Sequence, residues 1–108
     1  MATAKQHDPL VFYTAKPYNP TVDIEFDPAK DAANIAKHGV ALIFGLGVLM
    51  DCVGTEQDER RFYGEVRTNA SGFVNGRLHV CTFTMRGHIY RIISVRKSSR
   101  QEQRRWHT

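Results

Sequence analysis

A chain of 108 residues with 42% hydrophobic and 24% charged side chains is ordinary globular composition and too short for separate cofactor and substrate domains. That excludes a disordered or fibrous chain. The formal charge of +4 is modest, yet from Arg86 onward seven Lys or Arg stand against a single acid, Glu102. Such asymmetry suggests a polyanionic partner near the carboxyl end, although a solvated basic helix would produce it as well.

Residues 1–20 mix small, polar and proline-containing segments, TAKPYNP among them, with no period that commits them to helix or strand. They read as an arm preceding one domain over 21–108. The opening MATAKQHDPLVFY lacks the sustained apolar core of a signal peptide, and VALIFGLGVLM is shorter than a bilayer crossing. A cytoplasmic protein without membrane attachment is the expectation.

TVDIEF alternates apolar Val22, Ile24 and Phe26 with polar Asp23 and Glu25, the pattern of a strand buried on one face. Asp27-Pro28 then supplies an N-cap carboxylate and a first-turn proline, so a helix runs from Pro28 to about His38 and stops at Gly39. Leu42, Ile43, Leu46 and Leu49 fit a second, short helix despite Gly45 and Gly47, followed by a brief strand near Leu49 to Val53. GTEQDE reads as a polar loop. Three β-rich runs follow, over 60–66, 77–85 and 88–95, with Asn75-Gly76 and Arg86-Gly87 as hairpin turns. Turns this short force antiparallel neighbours, so the second half reads as a meander. SSRQEQRRW closes as a helix with Ser99 and Glu102 three apart as a capping box. The fold class is α+β: an antiparallel sheet with two amino-terminal helices on one face and a carboxyl-terminal helix on the other, the latter lining a basic cleft.

These elements alone do not fix the chemistry. Lys37 and His38 fall in the last turn of the first helix, where cations meet the negative end of the helix dipole, so capping already accounts for them. A functional reading needs a phosphate-binding surface beside the imidazole. Consecutive strand residues point to opposite faces, so only one of Arg60 and Arg61 can join a given site. In YRIISVRK the same rule separates Arg91 from Arg96 unless the strand ends or bulges between them. His79 and His88 lie on or beside strands away from acidic clusters, and Cys52 and Cys81 lack metal spacing, so no metal and no cofactor is expected and both thiols should be free. Asn69-Ala70-Ser71 matches a glycosylation triplet but reads as a loop coincidence.

Taken together, FDPAKDAANIAKHGV, DERRFYGEV and GRLHVCTFTMRGHIYRIISVRKSSRQEQRRW closely resemble the BrnT-type ribonuclease toxins of bacterial type II toxin–antitoxin systems, over about Ile24 to Trp106. The cluster Asn34, Lys37, His38, Gly39 and the RIISVRK strand carry most of the likeness. The resemblance implies a RelE-like fold, metal-independent endoribonuclease activity on RNA, and neutralisation by a cognate BrnA-like antitoxin through which operator DNA is contacted indirectly. It places His38, Lys37, Arg61, Arg91 and Arg96 in the catalytic machinery and Arg60, Lys97, Arg100 and Trp106 against RNA. Trp106 stands where the family usually has a tyrosine, offering a stacking face without a phenolic proton. The alternative is a RelE-like binding module without turnover that acts with its antitoxin in autoregulation.

Overall fold

A computed structural model describes residues 11–15, 22–59 and 64–106 of the chain. Strands β1 (Val11–Ala15) and β2 (Val22–Phe26) come first, then helices α1 (Pro28–His38) and α2 (Phe44–Met50). Strands β3 (Cys52–Gln57), β4 (Thr68–Val74), β5 (Arg77–Arg86) and β6 (Ile89–Lys97) follow, and helix α3 (Arg100–Trp106) is the last described element. The six strands form one sheet in the order β1-β2-β6-β5-β4-β3. The class is α+β as expected, but the sheet is mixed. The helical crossover returns β6 alongside β2 in parallel, while every other pair is antiparallel.

The amino-terminal signals act as read. Asp27 Oδ1 accepts the Ala29 amide at 2.8 Å, Pro28 occupies the first turn, and Gly39 at φ 71° donates its amide to the Ile35 carbonyl at 2.8 Å. Asp31 Oδ1 accepts the Leu42 amide at 2.7 Å and fixes the link to α2. Ile24, Phe26, Val40, Leu42, Val48, Ala70, Cys81, Phe83, Ile92 and Val95 make the core between the helices and one face of the sheet. Gly45 of α2 lies against Cys81 and Ile92, which explains a glycine that propensity alone marks as a weakness. Cys81 is buried there and Cys52 is exposed, both as free thiols.

The strands depart from the sequence reading in three places. Val11–Ala15, expected to be part of an irregular arm, pairs antiparallel with β2, Tyr13 stacking on Phe26 with ring centroids 5.7 Å apart. Edge strand β3 starts at Cys52 rather than near Leu49, because α2 runs on to Met50, and it takes in Gly54 to Gln57, which read as loop. Of the run 60–66, residues 60–63 lie outside the described residues and 64–67 form no strand; the strand is TNASGFV instead. Its small residues look loop-like, glycosylation triplet included, because α2 packs close above it. A Cβ on Gly72 would collide with the Val48 carbonyl. Tertiary proximity thus selects residues that have poor strand propensity. The Asn75-Gly76 turn has both residues at positive φ, 52° and 76°, as a two-residue hairpin of the primed type requires.

One buried polar side chain joins helix to sheet. Asn34, 6% exposed, donates through Nδ2 to the Val40 and Val95 carbonyls, both at 2.7 Å, and its Oδ1 accepts the Val95 amide at 3.3 Å. The β2 register on β6 covers only Tyr90 and Arg91. Past it, the Asn34 carboxamide takes the place a neighbouring strand's peptide would fill. Asn34→Ala orphans these buried groups and should destabilise the fold by about 2–4 kcal/mol. Urea denaturation checks this, and a loss below about 0.5 kcal/mol would contradict the bridging role.

Candidate active site

The face of the sheet opposite the core carries a cleft of about 500 Å³. Its floor is a single transverse rung: Glu56, Asn69, Thr82 and Ser94 are successive cross-strand partners from β3 to β6, and all four line it. Thr82 Oγ1 donates to Asn69 Oδ1 at 2.6 Å, so the middle of the floor is tied down. Lys37 and His38 enter from the end of α1, Arg96 from β6 and Glu102 from α3, while Gln57, Asp58 and Glu59 form the β3 side.

Strand β6 achieves this through a bulge. Thr82 pairs with Ser94 and Phe83 with Ile92, leaving Ile93 as the extra residue. The inserted residue reverses the alternation, so Arg91, Ser94 and Arg96 share the cleft face while Ile92 and Val95, three apart, both point into the core. The condition under which both arginines can share a face is met. They nevertheless have different settings. Arg91 Nη1 donates to Glu25 Oε2 at 3.1 Å, its register partner on β2, with both side chains mostly buried, and Arg91 does not line the cleft.

Arg96 is held by a carboxylate. Its Nη1 and Nη2 donate to Glu102 Oε1 and Oε2, each at 2.8 Å, in the bidentate geometry that an arginine offers a phosphate. The capping box forms too: Glu102 Oε1 accepts the Ser99 amide at 2.8 Å and Ser99 Oγ accepts the Glu102 amide at 3.2 Å. The Arg96 hydrogen bonds outweigh burial and, with the Ser99 bond, hold the Glu102 carboxyl at about 2. His38 is shifted below its ordinary value, first by desolvation and then by the positive charges of Lys37 and Arg96. Near neutral pH its imidazole is therefore predominantly uncharged.

The remaining expected site residues are dispersed. Lys97 follows Arg96 onto the opposite face and is exposed, and Arg100 is exposed at the start of α3. Trp106 packs against β3, where a Cβ on Gly54 would overlap its ring, and the Arg105 guanidinium sits 5.3 Å from the ring centroid. Arg105 also forks onto Glu56 at 2.7 and 3.2 Å. Trp106 thus docks α3 on the sheet. Arg60 and Arg61 lie outside the described residues. The lining is of mixed sign rather than basic, since Glu56, Asp58, Glu59 and Glu102 accompany Lys37 and Arg96. Those acids are hard to single out from sequence, because three belong to a polar run that reads as loop and Glu102 reads as a helix cap. Two-residue alternation of Glu56 and Asp58 was the available signal.

His79 donates from Nδ1 to the Arg77 carbonyl at 2.8 Å and packs on Phe44; His88 pairs with Asp23 at 3.2 Å. Among the described residues no group of three or more His, Cys, Asp or Glu is arranged to hold a metal ion, and no helix is long and apolar enough to cross a membrane.

What stands at the cleft is an imidazole beside a lysine and an arginine over a polar floor, in a small α+β domain. The chain belongs to the family described as ribonuclease toxin, BrnT, of type II toxin–antitoxin system, whose model matches residues 26–102. Membership makes it a ribonuclease toxin type, with RNA as target and an antitoxin as partner. The matched span runs from the end of β2 into α3 and so contains every described cleft residue. No curated protein matches the sequence.

Two titrations test this electrostatic arrangement. Removing a positive neighbour favours the imidazolium, so Arg96→Ala should raise the His38 pKa toward its ordinary value, read by NMR of the ring protons; an unchanged or lower value would place the guanidinium's charge elsewhere. Glu102 has a folded pKa depressed from 4.5 to about 2, so its stabilising contribution is complete above about 4.5 and disappears as pH falls through about 2. Thermal unfolding across that window should show a loss in the wild type that is smaller in Glu102→Gln.

Proposed function

We propose that the cleft is the active site of a metal-independent, RelE-like endoribonuclease that cuts RNA by attack of a 2′-hydroxyl on the adjacent phosphate. The convergence of Lys37, His38 and Arg96 on one polar cleft carries this reading. Neutral His38 takes the 2′-hydroxyl proton as the 2′-oxygen bonds to phosphorus. Lys37 and Arg96 balance the charge that builds on the phosphorane-like oxygens. The bond to the 5′-oxygen then breaks, and that oxygen collects a proton from solvent or from a second protonated group at the cleft. The products are a 2′,3′-cyclic phosphate and a 5′-hydroxyl. Arg91 supports the site from the neighbouring rung of the same face, steadied by Glu25, and Arg61 completes the cationic set. Arg60, Lys97, Arg100 and Trp106 contribute to holding RNA around it.

For an RNA phosphate to reach the Arg96 fork it must displace or share it with Glu102. An acidic segment of a BrnA-like antitoxin competes for the same cations, so toxicity and neutralisation use one surface in the cytoplasm, and operator DNA is reached only through the antitoxin. The filled Arg96 fork and the acids beside it favour one second reading: a module with little turnover that serves its antitoxin in autoregulation. Incubating antitoxin-free protein with RNA in EDTA distinguishes the two. Cleavage leaving 2′,3′-cyclic phosphate ends is expected, reduced by about 10²-fold or more in His38→Ala and strongly in Arg96→Ala. Intact RNA beside folded wild-type protein would overturn the nuclease reading.

A further inference from the structure

A second groove, of about 220 Å³, runs along α1 beside the bulge of β6. It shares Lys37, His38 and Ser94 with the main cleft, so the two depressions adjoin at these residues. Their charges differ. The cleft beyond His38 is flanked by Glu56, Asp58, Glu59 and Glu102, whereas the groove's lining holds no carboxylate and adds Lys30 to Lys37. Among the described residues neither lysine takes part in an ion pair. Along β3 the charges of Glu56 and Glu102 are offset by Arg105 and Arg96, so a polyanion with one phosphate at His38 gains no net attraction there and is drawn along α1.

The shape agrees with the charge. Lys30 and Lys37 are two helical turns apart, about 10 Å along the axis, further than successive charges on one nucleic-acid strand, so each can contact a different phosphate. Ala33 between them leaves the path open, and the bulge residue Ile93 supplies an apolar wall against which a base can lie. Asn34 lines the groove but spends its carboxamide on Val40 and Val95, which makes the wall rigid.

We propose that this groove is the exit path for the single-stranded RNA flanking the scissile phosphate, with Lys30 as a phosphate-binding residue outside the catalytic group. This rests on the reading of the cleft as an RNA site, though not on turnover. The strand is thereby assigned a direction across the molecule: it leaves His38 toward the amino end of α1, away from β3.

The test uses binding of 2′-O-methyl oligoribonucleotides, which the 2′-hydroxyl mechanism cannot cut, to the whole antitoxin-free protein. A dinucleotide filling only the cleft and a longer oligonucleotide reaching the groove are titrated at several salt concentrations against wild type, Lys30→Ala and Lys30→Glu. Lys30 is exposed on a helix, so both variants fold. For the longer ligand, affinity should fall several-fold in Lys30→Ala and further in Lys30→Glu. The slope of log affinity against log salt should shrink by about 0.7, one single-strand phosphate contact. Dinucleotide binding should stay unchanged. Equal affinity of all three proteins for the longer ligand would overturn the proposal. Wild type that binds neither ligand would instead overturn the cleft's RNA reading itself. Lys30 variants that bind RNA normally but lose affinity for an acidic peptide would reassign the groove to a protein partner.

Discussion

The Asn34 carboxamide is the interaction on which the site depends. Strand β2 ends at Phe26, so β6 beyond Arg91 has no strand neighbour on that side. Its Val95 amide and carbonyl would be left bare in a buried position, a cost comparable to losing both hydrogen bonds. Asn34 satisfies both and also the Val40 carbonyl after the helix stop. One side chain therefore sets the height and rotation of α1 on the sheet. Lys37 and His38 follow by helical geometry, three and four residues on.

The bulge at Ile93 provides the matching constraint on the strand. A regular β6 could not place Ile92 and Val95 in the core together or put Arg91 and Arg96 on one face. The extra residue does both at once and leaves Ile93 turned to the groove beside α1. Helix end and strand then meet over a floor of Asn69, Thr82 and Ser94. The parallel pairing of β2 with β6 adds the Glu25–Arg91 pair behind them. The two arginines are thus held unequally: Arg91 by a mostly buried carboxylate on a strand, Arg96 by Glu102 on a short terminal helix whose hold depends on the capping box and on Trp106 seated over Gly54.

Local signals were legible where local energies dominate. The Asp27-Pro28 start, the Gly39 stop, the Asn75-Gly76 turn and the Ser99/Glu102 box are short-range hydrogen-bond or dihedral requirements, and each appears in the structure as read. Strand β4 was illegible because its residues answer to α2 above it, and β3 because an exposed edge strand shows no apolar alternation. Glu102 was visible as a cap but not as the occupant of the Arg96 fork, since nothing in spacing says where a helix will dock.

What the sequence determined by itself is the set of local structures and the chemical inventory: a helix ending in Lys37-His38-Gly39, basic strand and helix residues near the carboxyl end, and motifs that place the chain in its family. The tertiary structure alone decided which members of that inventory meet. It brought His38 and Arg96 to one cleft, withdrew Arg91 to Glu25, turned Lys97 away and surrounded the site with acids. The reason is physical. Dihedral preferences and caps act within a few residues, whereas sheet order, a bulge's face reversal and the pairing of distant charges depend on contacts that only the complete packing creates.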